Sequence, residues 1–105
     1  TLNNKVFVES SQAMARRVVT EKHSDDRRRL VRAFRLCVAR SPSKQELDGF
    51  ADLLGTAREW YSDHAEDAKK LVGKYAAKDT SNSESAAWVA TCRIMLNMDE
   101  FITRE

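Results

Sequence analysis

Apolar positions recur every three or four residues through most of the chain, the period of an α-helix with one buried face. Over 4–21 the stripe is Phe7, Ser11, Met14 and Val18, flanked by Val8, Ala15 and Val19, with Glu9, Gln12 and Arg16 facing the other way. Asn3 or Asn4 offers an N-cap. His23-Ser24 breaks the pattern, and Ser24 before Asp25-Asp26 supplies a capping hydroxyl and two acids for the positive first turn of a second helix, 25–40. That helix is expected to bury Leu30, Val31, Phe34, Cys37 and Val38. Ser41-Pro42 stops it, because proline disfavours a helical residue before it and offers no N–H.

Ser43-Lys44-Gln45-Glu46 is a capping box, serine at the N-cap and glutamate three residues on, opening a third helix over 44–62. Its stripe is Leu47, Phe50, Leu54, Ala57 and Tyr61, with Leu53 and Trp60 at the edge. Gly49 and Gly55 each lower helix stability by about 1 kcal/mol relative to alanine, which predicts that another helix approaches closely there. A short helix follows near 65–72 with Gly73 as its C-cap, and 76–85 is a polar loop. Asn82 or Ser83 is the expected cap of a closing helix over 84–101, which is apolar over most of its circumference. Arg93, Asn97 and Glu100 share its one narrow polar sector. A helix of that kind is buried among others. The fold class is therefore all-α: a compact bundle of four main helices, the first three packed around the closing one, with a short extra helix.

Composition agrees with this pattern. A chain of 105 residues is one domain, 1–105, and buries roughly two-thirds of the surface that its unfolded form exposes. Only three glycines and one proline are present, too few for a strand-and-turn architecture. Hydrophobic content of 42% and charged content of 32% suit a globular chain. No apolar run reaches the ~18 residues of a membrane span. The chain opens at Thr1 without an initiator methionine, so a fragment or a processed form is the expectation, and the lack of a signal peptide here says little about the parent protein.

The net charge of +2 is unevenly spread. From Arg16 to Arg40 nine Arg and Lys face three acids; from Ser41 onward eight face twelve. The second helix concentrates Arg28, Arg29, Arg32 and Arg35 on one side. Such a strip could contact phosphates, with the third helix as a recognition helix. That helix carries Glu46, Asp48, Asp52, Glu59 and Asp63, which repel a phosphate backbone, so nucleic acid is disfavoured as a partner. A solvated face or a docking surface for another domain fits better.

Candidate chemistry is sparse. Cys37 and Cys92 each lie among apolar residues and form no Cys-x-x-Cys pair, so neither a zinc site nor a covalent haem site is written here. They read as two small core residues or, in an exported protein, as one disulfide. His23 and His64 have no partner histidine at helical spacing, no serine sits in a nucleophile elbow, and no glycine-rich phosphate loop is present. No catalytic, cofactor-binding or metal-binding residue is assigned. Asp99 shares a side of the closing helix with Trp88 and Cys92, an awkward place for a carboxylate. It is expected to pair with Arg35 or Arg40, or to cap a neighbouring helix, with a depressed pKa; the alternative is that the helix has frayed by there and Asp99 is solvated. Asp99, Asn97 and Arg40 are the structural polar candidates.

Two strings carry a resemblance. Ala33-Phe34-Arg35-Leu36, Ala39-Arg40-Ser41-Pro42-Ser43 and Glu46-Leu47 form the first; Ala86-Ala87-Trp88 and Leu96-Asn97-Met98-Asp99-Glu100-Phe101-Ile102-Thr103-Arg104-Glu105 form the second. Together they resemble the C-terminal region of a large planctomycete family of long exported proteins, many with a cytochrome-c-like domain near the N-terminus. Relatives often have proline where this chain has Ala65. The resemblance implies a C-terminal domain of an exported, multidomain protein, with other domains of the parent chain as partners. It carries over no catalytic residue and no haem. The reading is a non-catalytic structural or docking module. The alternatives are a domain lending Arg32, Arg35 or Glu100 to a shared active site, and a binding module for an acidic ligand.

Overall fold

The computed structural model describes residues 4–23 and 25–103, with side chains at 5–23 and 25–98. Five α-helices follow one another: α1 (Asn4–Thr20), α2 (Asp26–Val38), α3 (Lys44–Ser62), α4 (Ala65–Val72) and α5 (Asn82–Thr103), with a 3₁₀ turn, Gly73–Tyr75, after α4. Among the described residues there is no strand. The Cα radius of gyration is 12.9 Å, the value expected of one close-packed body of this length.

α5 is the hub. It packs against α1, α2, α3 and α4, and Ala86, Ala87, Trp88, Val89, Cys92 and Met95 are all buried along it. The core closes around Trp88 with Ala15 and Val18 from α1, Leu30, Phe34 and Cys37 from α2, and Phe50 and Leu54 from α3. Phe34 and Phe50 meet edge to face at 5.9 Å. Ala90, Arg93 and Asn97 keep part of their surface in water, as the narrow polar sector requires, but so does Ile94.

Several element ends differ from expectation for identifiable reasons. α2 starts after Asp25, whose carboxylate accepts the Arg28 N–H at 2.9 Å; Ser24 lies outside the described residues, as does Asn3. α2 also ends before Ser41-Pro42. Ala39 adopts the left-handed conformation, φ 63°, and its N–H returns to the Arg35 carbonyl. A non-glycine residue there is strained by roughly 1 kcal/mol. The capping box at Ser43 forms in full, so α3 begins where expected. The expected polar loop ends early, because Ser81 rather than Asn82 or Ser83 accepts the Glu84 N–H and opens α5. Ser83 instead donates to the Tyr61 carbonyl.

Two side-chain expectations are overturned. Gly49 and Gly55 face solvent with no atom within 4 Å of an added Cβ, so no helix approaches them. Gln12 is not on the wet face of α1. It is 9% exposed, and its amide donates to the Leu71 carbonyl at 2.7 Å, satisfying an end carbonyl of α4 that the helix itself leaves open. Gly73 caps α4 as expected, at φ 57° with Gln12 against it.

Candidate docking groove

The periodicity of α2 separates its residues into two faces. Leu30, Ala33, Phe34 and Cys37 point inward, so positions 27, 28, 31, 32, 35 and 36 turn outward in two adjacent rows. Arg27, Arg28, Val31, Arg32, Arg35 and Leu36, with His23 at one end, line an open groove of about 740 Å³. Four guanidinium groups rim a floor made by half-buried Leu36 and Val31. Val31, expected in the core, lies one position past Leu30 on the inward stripe and turns to the groove instead.

These cations are not equivalent. Arg32 donates from Nε at 3.1 Å and from Nη2 at 3.3 Å to the Glu21 carboxylate, which also meets Arg17 at 3.5 Å and His23 at 3.2 Å. The Arg32 guanidinium holds the Glu21 carboxyl below its usual range. Arg27 reaches across to Asp48 of α3 at 2.7 Å, and Lys44 shares that carboxylate. The guanidinium groups of Arg28 and Arg35 have no protein partner among the described residues. Those two charges are exposed and lie seven residues apart on one helix.

Arg29 is not part of this surface, although the sequence groups it there. Its side chain turns toward α1, donating to the carbonyls of Val18 at 3.1 Å and Glu21 at 3.4 Å, and its guanidinium lies 5.9 Å from the Trp88 ring. It closes the C-terminal end of α1. Conversely His23, Arg27 and Leu36 belong to the groove and went unremarked as a site. The spacing of 27, 31 and 35 at four-residue steps is the signal that finds them.

The remaining polar candidates separate similarly. Arg40 chelates Glu46 with two hydrogen bonds, 2.9 and 2.8 Å, and sits 5.1 Å from the Phe34 ring. With the Ser43 N–H also donating to it, the Glu46 carboxyl is held down to about 2. Arg40 is therefore committed to the α2–α3 connection. Asn97 is exposed on α5. The side chains of Asp99 and Glu100 lie outside the described residues.

The most connected charge is one that sequence reading passed over. Arg58 of α3 donates to Asp26 at 2.6 and 2.9 Å and to Glu84 at 2.8 Å from Nε, while the Trp88 indole N–H donates to Glu84 at 3.0 Å. Its guanidinium holds the Asp26 carboxyl below its usual range. This clamp joins the N-terminal turns of α2 and α5 to α3, and puts carboxylates where both helix dipoles favour them. The available signal is that Arg58 is an isolated base in an acid-rich stretch of α3.

On the far side of α3, Trp60 is 47% exposed and stacks on His64 at 3.6 Å. His64 Nδ1 donates to the Trp60 carbonyl at 2.6 Å. Among the described residues no cluster of three or more His, Cys, Asp or Glu could hold a metal ion, and no helix is long and apolar enough to cross a membrane. The sequence matches no family model and no curated protein, and the fold matches no solved structure.

Proposed function

We propose that this chain is a non-catalytic docking module and that the arginine groove on α2 is its binding surface. The occupant is an acidic protein segment with spaced apolar side chains, carried by another domain of the same exported parent chain. The observation that carries this reading is the pairing of two guanidinium groups without a partner among the described residues, Arg28 and Arg35, with the apolar floor of Val31 and Leu36 between and beside them. Carboxylates match the guanidinium fork, and leucine-sized groups match the floor. The intramolecular Glu21–Arg32 pair at one end of the groove supports a carboxylate as the matching group. The module needs no cofactor for this role. Exposed acids on α3, among them Asp52 and Glu59, oppose a long nucleic-acid track.

The test is fluorescence anisotropy of a labelled peptide alternating glutamate with leucine, at several salt concentrations. Saturable binding that weakens with salt and falls at least tenfold in the Arg28→Gln/Arg35→Gln variant supports the reading. Binding indifferent to that variant, no binding, or tighter binding to a DNA duplex of equal length overturns it.

A further inference from the structure

The interior of α2, opposite the groove, carries the second feature. Cys37 of α2 and Cys92 of α5 are 4% and 0% exposed and lie in one apolar cluster on two helices that pack together. Both are free thiols. Cys92 is in hydrogen-bonding relation to the Cys37 thiol, and that contact together with burial pushes the Cys92 thiol well up. Two thiols so enclosed are poor nucleophiles in the folded protein. Nothing else in the fold uses them: the groove is lined by other residues of α2, and no metal-binding cluster includes them among the described residues.

We propose that Cys37 and Cys92 are a disulfide-forming pair, closing during folding against a disulfide oxidant of the glutathione class and tying α2 to α5 beneath the groove. One Cys37 Sγ–Cys92 Sγ bond forms, both thiol protons leave, and the two electrons released cleave the oxidant's S–S bond to two thiols. The timing follows from burial. The folded core excludes the oxidant, whereas the folding chain exposes both thiols and then brings them together. A bond between positions so distant in the chain restricts the unfolded ensemble strongly. It makes the groove's supporting helix harder to peel from the hub. The inference stands on the thiol pair alone and does not rest on the docking reading.

The experiment refolds the full chain from denaturant in a mixture of reduced and oxidised glutathione, beside a sample refolded in dithiothreitol. Trypsin cuts after Arg35, Arg40, Lys78 and Arg93, so the expected product is peptide 36–40 joined to peptide 79–93, at a mass two hydrogens below their sum. The melting temperature should rise by about 10 °C and return on reduction. Two free thiols after refolding, a glutathione adduct on either cysteine, a disulfide-linked dimer, or a bond that fails to raise the melting temperature each overturns the proposal. Cys37→Ser and Cys92→Ser should each abolish the joined peptide. If either fails to fold, the peptide map of the unaltered chain still decides.

Discussion

Arg58 and Arg35 belong to neighbouring helices, and each stands outside the apolar core, yet they meet opposite conditions. Arg58 has two carboxylates and a tryptophan-linked network around it, and it joins three helices. Arg35 has a helix to stand on, an apolar floor beside it and, among the described residues, no counter-charge. Arginine type and helical position are similar in the two cases. What differs is whether the fold delivers an acid to the guanidinium. A partnered arginine is part of the architecture, and a partnerless one facing a groove is available to a partner.

That contrast breaks most readily at the clamp. Arg58→Met should lower stability by about 2 kcal/mol, since it strands Asp26 and Glu84 without their donor. Thermal unfolding should show a melting point lower by roughly 10 °C, while the folded variant keeps its affinity for the acidic peptide. Loss of peptide affinity with retained stability would reverse the assignment of the two arginines.

The next effect moves stability in the other direction. Gly49→Ala with Gly55→Ala should add roughly 1–2 kcal/mol, because both sites are open helical positions where alanine restricts the unfolded chain at no steric expense. Urea denaturation measures it, and peptide affinity should not change. A destabilised double variant would mean that the α3 surface meets something at these glycines.

Acid titration separates partnered from unpartnered charge without mutation. Glu21, Asp26, Glu46 and Asp48 all have depressed folded pKa values caused by arginine neighbours. Each contributes stability that is present above its unfolded pKa and is lost as pH falls through its folded pKa. For Glu46 the loss runs from about pH 4.5 down to about 2. Denaturant midpoints should be flat from pH 7 to 5 and fall progressively below that. Arg40→Met should shrink the Glu46 part of this slope. An unchanged slope would mean that Ser43 alone holds the carboxylate.

The smallest stability effect is expected at the groove. Arg28→Gln and Arg35→Gln should each change stability by less than about 0.5 kcal/mol, as exposed charges without partners do. A larger loss in chemical denaturation would show that these arginines are architectural after all.

How far the chain was legible depends on how local each signal is. The α3 boundary followed from Ser43 and Glu46, four adjacent residues that satisfy one another. The burial of α5 followed from an apolar circumference with a single polar sector. Gln12 and Arg29 depart from expectation because their partners lie on other elements, the Leu71 carbonyl for Gln12 and the end of α1 with the Trp88 ring for Arg29, whereas polarity alone suggests solvent. The groove was half legible: the arginine spacing marked the face, but Arg29 was included and Arg27 omitted. Which acid reaches which arginine is a distance in space.

The sequence by itself determined an all-α chain, the capping box at Ser43, the inward stripe of α2 apart from Val31, and the centrality of the closing helix. Periodicity and capping are properties of residues within a few turns of one another, so no tertiary information is needed to read them. Only the tertiary structure decided that Asp26 and Glu84 converge on Arg58, that Glu21 occupies Arg32, and that no described residue brings a counter-charge to Arg28 or Arg35. Long polar side chains choose partners from whatever helix packing brings within about 3 Å, and packing is a property of the whole chain.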